Sequence, residues 1–204
     1  MSEKKQKSKV LEYAETLIIA LLIALFVRAF VVQAFKIPSE SMKPTLLVGD
    51  HLLVNKFIYG IRIPLLDKKI LQFNKPRRGD VIVFIYPGDR SKDYIKRVIG
   101  LPGDTVEIRD RQIYINNSLI EDPWGVYSSW SSPVPQTYGP KVVPPDSLFV
   151  MGDNRDNSLD SRVWGFVPFD DVLGKAFIMY WSWDWDNPFI LNKVRWKRIG
   201  HLIH

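Results

Sequence analysis

Cysteine is absent from the 204 residues, and histidine occurs three times, at His51, His201 and His204. The lack of thiols removes disulfide frameworks, cysteine nucleophiles and zinc–thiolate sites together. Covalent chemistry must therefore come from Ser, Thr or Lys, and no cofactor or metal is expected. An internal repeat is missing too, and beyond Ile37 no long stretch keeps a helical period. The net charge of +6 does not signal nucleic acid, because Lys and Arg are scattered except for clusters at the two ends. With 46% of its residues apolar, the chain has ample material for one cored domain with a small satellite.

The first nine residues, MSEKKQKSK, carry four lysines and precede a largely apolar stretch. That order reads as a cytoplasmic basic segment over 1–10 followed by a single membrane-spanning anchor over 11–35. The uninterrupted apolar core, Leu17 to Val27, reaches the ~20 residues a span needs only if Arg28 snorkels to the outer interface. A cleaved secretory leader is the competing reading, since Val32 and Ala34 have the small-residue spacing found before a cut. An apolar run, Arg28 and a second apolar run fit an anchor better. Either way the remainder lies outside the cytoplasm.

From Ile37 onward, short β-rich runs recur at 51–58, 80–86, 94–100, 105–109, 112–115, 148–151 and 175–181. A hairpin is expected where Arg109–Arg111 separates VEI from IYI. Residues 107–145, rich in Pro, Ser and aromatics towards their end, read as a small inserted β region. The main core is then built from 36–106 and 146–204. The fold class is thus mostly β, an antiparallel core with a smaller inserted β domain, preceded by one transmembrane helix.

Three stretches carry chemistry. Pro38-Ser39-Glu40-Ser41-Met42-Lys43-Pro44 follows the anchor, and its prolines hold the serines in extended or turn backbone where a hydroxyl is presented. A plain membrane-proximal linker explains the same residues. Asp93-Tyr-Ile-Lys-Arg-Val-Ile-Gly100 is a strand in which the period of two cannot say whether Lys96 or Arg97 points inward. Arg cannot give up its proton, whereas a desolvated Lys can, so only Lys96 suits a general base. A lysine snorkelling from a half-buried strand is the bland alternative. Gly152-Asp-Asn-Arg-Asp-Asn-Ser-Leu-Asp-Ser-Arg-Val-Trp-Gly165 packs acids, amides, hydroxyls and two arginines into one loop. An EF-hand does not fit it, because Arg155 stands at a ligand position and Ser158 at the glycine. A self-bonded loop of Asx turns and Asp/Arg pairs remains open.

These stretches, in this order behind an N-terminal apolar segment, resemble the bacterial type I signal peptidases. PSESMKPTL is similar to the family's nucleophile box, RRGDVIVF to its next strand, YIKRVIGLPGD to its lysine box and GDNRDNSLDSRVWG to its last box. The resemblance implies a serine endopeptidase that removes leader peptides from exported preproteins after Ala-X-Ala. It makes Ser41 the nucleophile and Lys96 the general base. Ser39 becomes an oxyanion donor, Ser158 the serine that orients the lysine, and Asp153, Asp160 and Arg162 supports of the site. The implied partners are preproteins with cleavable signal peptides, the lipid bilayer and the translocation machinery, with no nucleic acid. The implied location is the bacterial plasma membrane, single-pass, with the N-terminus cytoplasmic. Two rivals are a Ser/His/Asp hydrolase, whose one reasonable base is His51, and a membrane-anchored binding protein without catalysis.

Overall fold

The structure, a computed structural model, describes residues 9–63, 68–71, 74–128 and 132–204. Most of the basic N-terminal segment, residues 1–8, and Trp130 lie outside the described residues. The chain opens with α1, Lys9–Phe26, which buries none of its residues. A π-helical turn over Val27–Val31 ends it. Strand β1, Val32–Lys36, follows at once and pairs antiparallel with β2, Asp50–Asn55.

The expectation of one spanning helix over 11–35 needs correction here. Helical backbone stops at Val31, and the register Val32↔Asn55 to Lys36↔His51 makes the last residues of that apolar run an edge strand. Apolarity alone does not separate a spanning helix from a strand. Val32, Gln33 and Phe35 turn partly inward while Ala34 and Lys36 are exposed, and the ladder offered by β2 decides the conformation. No helix among the described residues is long and apolar enough to cross a membrane.

The remaining strands are β3 (Ile61–Ile63), β4 (Lys68–Leu71), β5 (Val81–Ile85), β6 (Asp93–Gly100), β7 (Thr105–Arg109), β8 (Gln112–Ile115), β9 (Ser118–Leu119), β10 (Tyr138–Val142), β11 (Ser147–Met151), β12 (Val167–Pro168) and β13 (Val172–Ser182). One short helix, α2 (Ser161–Trp164), lies in the last loop. The main sheet has the order β1-β2-β13-β5-β6-β11-β12, a second sheet runs β10-β7-β8-β9, and β3 pairs with β4. The fold is mostly antiparallel β, as the Pro- and Gly-punctuated runs suggest.

Val81 to Phe84 are buried consecutively because β5 sits mid-sheet with both faces covered. One face carries Met42, Leu46, Leu52, Val54, Val83 and Met179; the other carries Ile82, Phe84, Val98, Leu148 and Val150. The second sheet docks through Val106, Ile108, Ile113 and Ile115 against Ile99, Phe149 and Met151, so it shares the core of the main sheet. The expected hairpin turns at Asp110-Arg111, both at positive φ, and a second at Asn116-Asn117 uses the same backbone. That conformation matches the strand twist, and Asn and Asp tolerate it best.

Candidate active site

The loop between β1 and β2 leaves and rejoins the sheet at one point. Ile37 N–H donates to Asp50 O (2.8 Å) and Gly49 N–H to Ile37 O (3.1 Å). Inside it, Lys43 N–H bonds Glu40 O at 3.0 Å and Leu46 N–H bonds Met42 O at 2.9 Å, which winds the segment after Ser41 into turns. Met42 and Leu46 are fully buried and nail the loop to the core, while Ser41 between them and the solvent is 9% exposed. An Asp50 hub locks the exit: its carboxylate accepts from Ser182 Oγ (2.6 Å), Leu47 N–H (2.7 Å) and Arg198 Nη2 (2.6 Å). Arg198 also reaches Thr45 O at 2.8 Å, and Arg195 reaches Val48 O at 2.9 Å.

Strand β6 brings Lys96 to this loop. Its Nζ donates to Ser41 Oγ at 2.6 Å, and the residue is 4% exposed. Among the described residues no carboxylate lies within ion-pair distance of it. Burial disfavours the ammonium and pushes its pKa down from the usual 10.5 to about 8, against the opposing pull of the Asp160 and Asp153 carboxylates. At pH 7 about a tenth of Lys96 is then neutral, against fewer than one in a thousand for an ordinary lysine. Ser39 Oγ stands 3.4 Å from Ser41 Oγ.

Arg97, on the opposite face, is fully buried too, so the strand does not choose between its two cations. Its Nε and Nη2 grip both oxygens of Asp153 at 2.8 and 2.7 Å. Thr45 Oγ1 donates to the same carboxylate at 2.6 Å, tying the nucleophile loop to the last loop. Asn154 N–H bonds Ser41 O at 3.1 Å, and Asn154 Nδ2 bonds Glu40 O at 3.2 Å. Asp160 caps α2 and holds Arg162 Nε and Nη2 at 2.9 Å each, while Gly152 N–H donates to it at 3.1 Å. Ser158 is buried in the same cleft as Lys96, yet among the described residues its hydroxyl has no hydrogen-bond partner and does not bond the lysine. A Cβ on Gly152 would stand 2.2 Å from Ser158 Oγ and 2.4 Å from Ser41 O. Only glycine lets these two loops meet.

Ser39, Ser41, Lys96 and Ser158 thus face one cleft of about 470 Å³. Asp153, Asp160 and Arg162 lie behind it as fully engaged ion pairs. His51 is elsewhere, on β2 with its ring 5.9 Å from that of Tyr180, and is not part of the cleft. Sequence reasoning did not single out Gly152, Thr45, Asp50 or Arg198. Gly152 carries a legible signal, a glycine between an apolar strand and a polar loop, whereas Asp50 and Arg198 meet only through the fold.

A buried, unpaired lysine on a serine hydroxyl, with a second serine beside it, is the donor set of a serine peptidase that works without histidine. The family model described as signal peptidase, peptidase S26, matches residues 10–181. The chain belongs to the signal peptidase S26 family. It is similar to a signal peptidase I of Pseudomonas aeruginosa, 40% identical over 99% of this chain and 82% of that one. A signal peptidase I of Leptolyngbya laminosa is also 40% identical, over 88% of this chain and 84% of its own. The solved signal peptidase I of Enterococcus faecalis is 35% identical, covering 51% of this chain and 98% of that one, with a TM-score of 0.44. This signal peptidase is accordingly a serine endopeptidase hydrolase that removes signal peptides, and a binding protein without catalysis is set aside.

Proposed function

We propose that Ser41 and Lys96 form the catalytic dyad of this signal peptidase. The observation that carries the reading is the 2.6 Å contact between Ser41 Oγ and a buried lysine Nζ that no carboxylate neutralises. Neutral Nζ takes the hydroxyl proton as Oγ attacks the scissile carbonyl. The C–N bond then breaks, the proton passes to the leaving amine, and water releases the acyl group from Ser41 by the same base. Ser39 Oγ and the Ser41 N–H stabilise the oxyanion. Ser158, whose hydroxyl has no bond to lose, turns to hold Lys96 during the transfer. Asp153, Asp160 and Arg162 support the site from behind, within a core assigned to 36–106 and 146–204 around an inserted region at 107–145.

The same reading places the enzyme on the outer face of the bacterial plasma membrane with its N-terminus cytoplasmic. Helical backbone continues from Lys9 to Val31, about 35 Å at ~1.5 Å per residue, and the side chains of α1 are exposed and mostly apolar. From Leu17 to Phe26 the exposed side chains of α1 are apolar all round and favour an apolar solvent, and Arg28 sits near the outer end, where snorkelling is cheapest. Exposed Trp185 and Trp196 suit the interface. Preproteins then meet the site as they leave the translocation machinery, and cleavage follows Ala-X-Ala.

Detergent-solubilised protein incubated with an Ala-X-Ala precursor should release the leader, while Ser41→Ala and Lys96→Met, both folded, fall by ~10⁴-fold or more. Equal cleavage by all three sinks the dyad. His51→Gln should cleave like wild type; a folded but inactive His51→Gln protein restores the histidine reading.

A further inference from the structure

The lining of the cleft has several origins. Tyr94 and Lys96 reach it from β6, Pro133 and Val134 from the segment before β10, and Leu159 from the last loop. The Pro133–Val134 segment is held in place by polar bonds. Ser132 Oγ donates to Asp156 O at 2.9 Å, Val134 N–H to Ser132 Oγ at 3.0 Å, and Gln136 Nε2 to Asp156 Oδ1 at 3.1 Å. Arg111 Nε, from the β7–β8 turn, donates to Gln136 Oε1 at 3.0 Å. The second sheet is therefore coupled to the catalytic cleft through Gln136 and Asp156.

Leu159 stands out in this lining. It is 59% exposed, while its chain neighbours Ser158 and Asp160 are 1% and 0% exposed and fix its backbone. A large exposed apolar side chain is thus presented to the cleft by a rigid frame, and Val134, 3% exposed, lines the same cleft. Lone exposed leucines need no explanation, but one that lines the same cleft as a serine hydroxyl and a buried lysine, together with Pro133 and Val134, has an occupant available.

We propose that Pro133, Val134 and Leu159 form a specificity wall that contacts substrate side chains within two residues of the cut and limits their bulk. The residues before β10 thereby become part of substrate recognition. The inference rests on Ser41 and Lys96 being the reacting pair. Apolar pockets discriminate by volume, and one or two methylenes change selectivity by about 10- to 200-fold. Removing wall atoms admits larger side chains, and adding atoms excludes them.

The test is competition in one tube between precursors that differ only at the two residues on either side of the cut, each carrying Ala, Val or Leu. Loss of all-Ala cleavage in folded Ser41→Ala and Lys96→Met, run beside wild type, checks the catalytic reading independently. In the full chain, Leu159→Ala and Pro133→Gly should raise the ratio of Leu to Ala turnover about tenfold at one or more positions. Leu159→Trp should lower it at the same position. Ratios are taken within each variant, so a general loss of activity cancels, and melting curves identify which variants are folded. A shift of opposite sign for Leu159→Ala and Leu159→Trp supports the wall. Ratios unmoved within twofold in every folded variant overturn it, as does a shift of the same sign in both Leu159 variants.

Discussion

Lys96 and Arg97 are neighbours on one strand, equally buried, and treated in opposite ways. Every N–H of Arg97 is spent: two on Asp153, one each on Gly79 O and His204 O at 2.7 Å, and one on Thr45 Oγ1 at 3.5 Å, with the guanidinium 4.5 Å from the Trp124 ring. Among the described residues Lys96 has one hydrogen bond, to the Ser41 hydroxyl. A guanidinium cannot neutralise itself, so burial obliges the fold to surround it with acceptors. An amine can shed its charge, so burial without a partner converts it into a base. One face of β6 therefore supplies rigidity and, on the proposed dyad, the other supplies the base, while the Asp153 pair ties the Thr45 loop to β6, the strand that carries Lys96.

The comparison breaks most visibly at Arg97. Arg97→Met leaves Asp153 charged and buried with only Thr45 for a partner, and should lower stability by about 3 to 5 kcal/mol, read from the urea midpoint. An unchanged midpoint would mean that water reaches Asp153 and that the two faces differ less than the geometry says. On the reactive face, Ser39→Ala should leave the urea midpoint within about 0.5 kcal/mol of wild type. It should also cost about 3 kcal/mol of transition-state binding, a fall of ~100-fold in kcat with KM little changed. A rise in KM at constant kcat would instead make Ser39 a ground-state contact.

The two faces were unequally legible in the sequence. Lys96 was singled out because, of two neighbouring cations, only a lysine can give up its proton, while Ser41 and the polar loop after β11 were singled out by their resemblance to the family's boxes. The mostly antiparallel β core was visible because alternation and Pro or Gly punctuation are local. Period two left Lys96 and Arg97 undecided, and the reason is physical: both faces of a central strand are covered, so neither cation is the outward one. Val32–Lys36 was misread because an apolar run carries no record of the strand waiting to pair with it. The Asp50–Arg198 bracket joins residues far apart in the chain, and an isolated acid and an isolated arginine carry no sign of each other. The wall at Pro133 and Val134 was equally hidden, since a Pro- and Ser-rich excursion reads as loop wherever it folds back.

The smallest effect carries the opposite sign. Folded Lys96 titrates near 8 and the unfolded chain near 10.5, so between those values the unfolded state binds more protons and wild-type stability rises with pH. Below about pH 8 the folded protein bears the full cost of holding an ammonium out of water, at most about 3 kcal/mol. Lys96→Met, similar in volume and uncharged, should therefore be the more stable protein at neutral pH by up to that amount. The gap should narrow as pH climbs from about 8 to about 10 and close only above about 11, where the lysine is neutral in the folded and the unfolded chain alike. Urea unfolding of both proteins from about pH 6 to about pH 10 measures it. The same titration should appear as an acid limb near pH 8 in kcat/KM, because that quantity follows the free enzyme. A stability gap that ignores pH, beside a rate that follows it, would show that the lysine sheds its proton only once substrate has closed the cleft.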